Sequence, residues 1–370
     1  MAWDATGWTY YKTLTVDQTD DLGAGSPIYQ VKLLIGKTSG ATGEQVDCNG
    51  HCADDFDDLR FTSNDVPASA TLLNYWIESV VASGTSYLAT VWVAVPMLDD
   101  AADVLIRMYY GNAGAASASS GADTFGAEKW DNFEWGANTN HLHVSGGNIT
   151  WTSTDDGIVS TDQGYTGIAA DTRSAKFIGT AGSRPEASFA KTNGTDYAIR
   201  FRVYKETLTV LNAQGLLWHG NGADALCVGI DASENVYYTD AAVSFVDSTL
   251  NSTADAWDLF EVNNINWTGT PTFTLVVNGT SKTGCTMYHA NYKNNIVDFY
   301  GDVITGQHVW IDNVIVRKWT ANEPTWSSFG AETSTGWANI AKINGIASAN
   351  FSLVNGIAVA NISKVNGVSV

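Results

Sequence analysis

Two kinds of side chain in this sequence are suited to chemistry: carboxylates gathered in short runs, and aromatic rings beside turns. The run GHCADDFDDLRF places Asp54, Asp55, Asp57 and Asp58 within five positions. Clustered oxygens of this kind suit calcium. The plainer reading is a solvated acidic turn with one Asp paired to Arg60. A second oxygen pair, Asp312 and Asn313, falls in WIDNV, where it either bonds within closing strands or holds the same ion. No cofactor is expected, with calcium the alternative these residues offer. The rings of interest are Trp218 and His219 in GLLWHGNGAD, with Tyr237, Tyr238 and Asp240 in NVYYTD. Sugars stack on exposed rings while carboxylates and amides meet their hydroxyls. The alternative for every one of these rings is a place in the core.

Cys48 and Cys52 in DCNGHC are spaced for a local disulfide across an Asn-Gly turn, for two metal ligands, or for two free thiols. A zinc site wants a second close pair of ligands. Cys227 and Cys285 are far apart in strand-like contexts, where a buried apolar filler is the usual use. His141 and His143 would share one face of a strand, with no third ligand evident. No phosphate loop, nucleophile elbow or His-Glu-x-x-His motif occurs.

The elements that must position these residues are strands. Aromatics make up 11% and charged residues 16% of the 370 residues, with 35 Gly, which is the mix of short strands and tight turns. WTYYKTLTV, YQVKLLIG, LATVWVAVP and VLIRMYYGN alternate as strands and fill a first domain over residues 1–110. The small, polar stretch at 111–124 reads as a linker. A second β-rich block over 125–332 carries turn signals at the spacing of a sandwich. The expected fold class is therefore all-β: two β-sandwich, jelly-roll domains and a short C-terminal β-repeat segment.

That segment, 333–370, repeats ANIAKINGIAS, ANFSLVNGIAV and ANISKVNGVSV with a period of 11. Asn344-Gly345, Asn355-Gly356 and Asn366-Gly367 each mark a hairpin, because both turn residues must take positive φ. The repeats read either as a meander of four short strands or as rungs of an oligomeric β structure. With Phe351 as the only aromatic, they bury too little to stand alone and must dock on a surface or a second copy. A homo-oligomer is expected.

The net charge is -20, from 39 acidic and 19 basic residues. Nucleic acid is excluded as a partner, since phosphate binding needs clustered Lys and Arg. No apolar stretch approaches the roughly 20 residues of a membrane helix, so membrane insertion is excluded too. The opening MAWDATGWTYYKTLTV is not a secretory signal.

Residues 8 to about 125 resemble domain of unknown function 2341, a family of extracellular and viral modules. WTYYKTLTV, GHCADDFDDLRFTS, LLNYWIES, VWVAVP and MYYGNAGA stand in that family's order. The family implies adhesive neighbours and no assigned reaction. The second block is similar to a concanavalin-like or laminin-G-type jelly roll through WDNFEWG, Trp151 and HVWIDNVIVRKWTANEPTWSSFGAE. Glycosidases need two carboxylates flanking one bond, about 5 Å apart or about 6.5 to 9.5 Å apart. The Glu-x-Asp-x-x-Glu pattern of concanavalin-like glucanases is absent, and Glu128 and Glu134 sit six apart at the domain entry. No catalytic residue is assigned. The tail resembles repeats of phage structural proteins.

The expectation is a non-enzymatic virion surface or extracellular protein that binds a glycan on a host surface and contacts other virion or surface proteins. The alternatives are a secreted prokaryotic adhesin and an extracellular glycoside hydrolase.

Overall fold

A computed structural model describes residues 5, 7–17, 28–63, 70–96, 103–126, 129–143, 147–153, 157–167, 171–180, 185–206, 216–242, 244–289, 294–301 and 306–335, together with six short strands in the tail. Among the described residues strands account for 55% and helix for 2%. The all-β class expected from composition is the observed one. No helix among the described residues is long and apolar enough to cross a membrane.

The chain forms two compact units, and the second is inserted in the first: unit 1 is Met1–Thr124 with Asn322–Val370, and unit 2 is Phe125–Ala321. Unit 2 starts at Phe125 and ends at Ala321, where the sequence reading has a second domain over 125–332. Thr325–Phe329 pairs with Tyr10–Asp17, matching Leu14 to Phe329 and Asp17 to Thr325, so the segment expected to close the second domain completes the first.

Unit 1 stacks a six-stranded and a four-stranded sheet. In the first, Tyr10–Asp17 lies between Thr325–Phe329 and Val104–Tyr110, with Arg60–Ser63 beyond. In the second, Ile28–Gly36 and Ser86–Pro96 are central. Alternate residues of each, such as Val31, Leu33 and Ile35, or Val91, Val93 and Val95, are buried in one cluster with Leu14, Ile106 and Met108. The stretch 111–124 is no free linker. Ser120 N–H donates to Tyr75 O (2.8 Å), Ile77 N–H to Ser119 Oγ (2.8 Å), and Arg60 Nη2 to Ala116 O (2.6 Å), before the short helix Gly121–Phe125.

Unit 2 is a sandwich of two eight-stranded sheets. One, the Asp312 sheet, runs Gly157–Ser160, Ser174–Ile178, His308–Lys318, Tyr197–Lys205, Trp257–Asn266, Thr272–Val277, Thr280–Thr286, with Trp130–Asp131 pairing His308–Lys318 as its eighth strand. The other, the Trp218 sheet, runs Thr152–Ser153, Glu186–Ala190, Ile296–Tyr300, Leu217–Gly220, Asp224–Ile230, Asn235–Thr239, Phe245–Asn251, with Tyr288–His289 pairing Asp224–Ile230 as its eighth. Between them lie Phe201, Phe260 and Phe299, ring centroids 4.9 to 5.7 Å apart. Asp131, fully buried, anchors the entry loop by accepting from Phe133 N–H and the indoles of Trp135 and Trp151, all at 2.9 Å.

The tail forms three separate two-stranded ladders: Lys342–Ile343 with Ile346–Ala347, Leu353–Val354 with Ile357–Ala358, and Lys364–Val365 with Val368–Ser369. Each flanks one Asn-Gly pair, giving hairpins and, among the described residues, no meander of four strands. Asn344, Gly345, Phe351, Asn355, Gly356, Asn366 and Gly367 themselves lie outside the described residues.

Candidate functional site

Successive residues of a strand face opposite sides of its sheet. This rule divides the aromatic candidates. Leu217 and His219 turn into the sandwich, and Trp218 turns out. His219 is fully buried; its Nδ1 donates to Ile296 O (2.8 Å) and its Nε2 accepts from the Tyr197 hydroxyl (2.5 Å). Burial lowers its pKa to about 4, so it stays neutral. Likewise Tyr238 packs inside, edge-on to Phe273 at 6.2 Å, while Tyr237 faces out. His219 and Tyr238 are thus core residues, a correction to their expected place in a binding surface. Asp240 closes a turn, its Oδ1 accepting from Ala242 N–H (3.0 Å) and Ser244 N–H (2.7 Å).

Trp218 has company that the sequence did not reveal. With Ala225, Cys227 and Tyr300 it forms a cluster separate from the main core, with Tyr288 packed against it. Trp218 stands edge-on to Tyr288 at 5.8 Å and to Tyr300 at 6.3 Å. Strand register sets Asp298 beside Trp218 and Glu186 beside Tyr300. Trp218 is 7% and Tyr300 4% exposed, whereas Tyr288 is half-buried. The outer face of this sheet therefore carries three rings and two carboxylates in adjoining positions.

The opposite sheet carries an acidic cluster. Arg202 pairs with Asp312 and Arg200 with Ile315, so an extra residue bulges from the His308–Lys318 strand. Asn313 takes φ of 47° there, which Asn tolerates better than most residues. The bulge turns both Asp312 and Asn313 away from the core, whose contacts resume at Val314. Asp312 accepts from Asn313 N–H (2.7 Å) and Tyr165 N–H (3.3 Å). Asn313 Nδ2 donates to Asp171 Oδ2 (2.9 Å). Asp171 Oδ1 and Asn313 Oδ1 are buried without a hydrogen-bond partner. Burial, with Asp171 nearby, raises the Asp312 pKa well above its usual value. Burial also lifts Asp171 to about 7, against the bond from Asn313. Glu134 holds the neighbouring segment, accepting from Thr172 N–H and Arg173 N–H, both at 2.5 Å.

These oxygens fit a hard cation in kind. Two carboxylates and an amide side chain lie in one cluster beside the Arg202 guanidinium, and two of the oxygens have no donor; calcium takes six to eight oxygens, so most would come from main-chain carbonyls or water. Asp171 and Glu134 were not among the residues expected here, because nothing local in the sequence relates them to position 312.

Asp54, Asp55 and Asp57 do not converge, which corrects their expected role in a metal site. Asp54 pairs with Lys37, and Asp55 accepts from Asp57 N–H (3.2 Å). Arg60 donates to the Asp57 main-chain oxygen (3.1 Å), not to a carboxylate, and lies over the Trp8 ring at 5.1 Å. Among the described residues, no group of three or more His, Cys, Asp or Glu forms a metal-binding set. Asp58 is the structural member of the run. It is 1% exposed and accepts from Gly111 N–H (2.7 Å), Asn112 N–H (3.1 Å) and Ala53 N–H (3.0 Å). Gly111 has φ of 83°, and a side chain there would come 2.9 Å from the Tyr10 ring.

Cys48 and Cys52 are free, buried thiols in the unit 1 core, in place of the disulfide considered from their spacing. Asn49 and Gly50 form the expected turn, with φ of 50° and 81°. Burial, with Cys52 alongside, pushes the Cys48 thiol well above its ordinary range, which suppresses the reactive thiolate. Near this turn Glu332 accepts from the Tyr110 hydroxyl (2.7 Å) and contacts His51 Nδ1 (3.0 Å), while His51 stacks on Tyr10 at 4.1 Å.

Residues 55–154 match the family described as "Domain of unknown function (DUF2341)". The match begins inside the acidic run and extends past the start of unit 2. No curated protein shows significant similarity to the chain. Among solved structures, the chain is similar to cellulose induced protein Cip1 at 15% identity, covering 50% of this chain and 95% of that one, with a TM-score of 0.34. It is similar to domain 4 of AbnA, a GH43 extracellular arabinanase from Geobacillus stearothermophilus in complex with arabinotriose, at 10% identity over 52% of this chain and 93% of that one, TM-score 0.35. It is similar to alginate lyase AlyC3 in complex with dimannuronate at 10% identity over 53% and 91%, TM-score 0.32. Likeness this slight says nothing about a ligand or reaction.

Proposed function

We propose that this chain is a non-enzymatic surface protein, on a virion or outside a cell, whose unit 2 binds a glycan on the outer face of the Trp218 sheet. The observation that carries the reading is the ring cluster of Trp218, Tyr288 and Tyr300 beside Asp298 and Glu186. These rings lie away from the sandwich core, and carboxylates adjoin them as sugar hydroxyls require. A glycan array with the full chain, then Trp218→Ala and Tyr288→Ala, tests it. Tyr288 is half-buried, so its removal leaves the core intact. Loss of signal in both variants is expected. No signal on any glycan, or unchanged binding in both, defeats the reading.

Self-association through the tail is the second part of the proposal. Three isolated ladders of two-residue strands are below the size that stands alone. Mass measurement in solution with and without residues 337–370 decides it, and an unchanged oligomeric state refutes it. Calcium at Asp171, Asp312 and Asn313 is the third part. Bound there, the ion would neutralise two buried carboxylates and supply no step of a reaction.

A further inference from the structure

We propose that the end of the unit 2 sandwich where Lys129, Lys191 and Lys318 gather around Tyr197 binds the acidic group, carboxylate or sulfate, of a short anionic glycan. The starting observation is the charge. In a chain of 39 acidic and 19 basic residues, a cation ordinarily finds a carboxylate, as Lys12, Lys37, Lys176 and Lys205 do. Lys129 and Lys191 have none within ion-pair distance among the described residues.

Strand pairing brings the three lysines together. Tyr197 is the register partner of Lys318 at the ends of their strands. Trp130 pairs with Ile315, which sets Lys129 one step farther along, two residues from Lys318. Lys191 follows the strand Glu186–Ala190, and its Nζ lies 3.5 Å from the Tyr197 ring centroid while donating to Thr192 O at 2.7 Å. Burial brings the Lys191 amine down to about 8, with Asp196 opposing that change and Lys129 adding to it. Lys318 is lowered in the same way, by burial first and then Lys129. An anion among these amines would relieve both their mutual repulsion and their lost hydration.

The acid must be local to a short ligand. A charge of -20 repels a long polyanion across the whole surface, and three lysines do not reverse that field. A single carboxylate or sulfate lodged within a few ångströms of the amines meets mainly them, since distant charges are screened beyond about 8 to 10 Å. The Trp267 indole, which donates to Gly194 O at 2.9 Å, supplies a partly buried ring at the same end for the sugar itself.

The test is calorimetric titration of the full chain with oligogalacturonate, its methyl-esterified form, and a sulfated oligosaccharide of the same length. Binding of at least one acidic chain, weakened by salt, is expected, with the ester about tenfold weaker or silent. Lys191→Gln and the exposed Lys129→Gln should each lower affinity about tenfold, the loss of one charge-assisted hydrogen bond. Carboxylated and sulfated arms tell which acid is taken. Equal binding of the ester, unchanged affinity in both lysine variants, or no binding of either acidic chain overturns the proposal. Trp218→Ala should leave this binding intact, so failure at that face and failure here are read separately.

Discussion

If Asp171, Asp312 and Asn313 hold calcium, removing the ion should destabilise unit 2 by an amount set by the two buried carboxylates. Asp171 alone is lifted from 3.8 to about 7, roughly three pKa units. At 1.36 kcal/mol per unit, keeping it ionised at neutral pH costs on the order of 4 kcal/mol, an upper bound on what neutralisation by a cation returns at that residue. Mass action sets the observable share. Free calcium at a hundredfold its dissociation constant stabilises the folded state by about 2.7 kcal/mol. In a unit of this size that moves the thermal midpoint by roughly 5 to 10 °C. The assay is calorimetry of the full chain at neutral pH, in EGTA and in millimolar calcium. Asp312→Asn is the control, because it keeps the shape and removes one of the two carboxylates. This variant should melt in EGTA no lower than the unsubstituted chain, and calcium should no longer shift it. Coincident curves for the native chain with and without calcium, or an undiminished shift in Asp312→Asn, would refute the site.

Other outcomes follow from single contacts. Burial pushes Glu261 up, yet Arg317 at 2.8 Å and Arg200 at 3.7 Å outweigh it and bring it from 4.5 down to about 2. A carboxylate depressed on folding stabilises above its unfolded pKa, so urea titrations should show about 3 kcal/mol lost as pH falls from 4.5 to about 2. Glu261→Gln should remove that dependence and be less stable at neutral pH, having left two arginines without their buried partner. Asp58→Ala strands three main-chain donors and should cost about 3 kcal/mol or more in unit 1, seen as faster hydrogen exchange at Gly111 and Asn112. Thiol titration of the unreduced chain should find four reactive cysteines after denaturation and little reaction before it; two would mean a bridge.

What the sequence showed depended on whether the cause was local. Strand positions such as Tyr10–Asp17 and Ser86–Pro96 were legible because alternation and turn residues act over a few positions. The Asn-Gly hairpins were legible for the same reason. Adjacent candidates such as Trp218 with His219, and Tyr237 with Tyr238, could not share a face once strands were expected; period-2 alternation already separates them, though it does not say which one turns in. The partners of Trp218 were hidden, since Tyr288 and Tyr300 reach it only through pairings across some 70 to 80 residues of chain. Asp171 was hidden likewise from Asp312.

The insertion of unit 2 explains why residues 325–332, expected to close the second domain, complete the first. Residues on both sides of Ala321 are equally strand-like, so nothing local marks the return to unit 1. Long-range contacts mark it instead: Trp326 Nε1 donates to Lys32 O (2.8 Å), the Tyr29 hydroxyl to Glu323 (2.7 Å), and the Tyr110 hydroxyl to Glu332 (2.7 Å). Until residues 323–334 arrive, the strand Tyr10–Asp17 has a neighbour on one side only, in Val104–Tyr110, and presents unpaired main-chain groups on the other. Unit 1 therefore cannot complete its sheet before unit 2 has been synthesised. The segment that completes it is also the one from which the hairpin tail departs. A chain ended after Ala321 should retain the unit 2 core and expose a sheet edge in unit 1, with aggregation its expected fate.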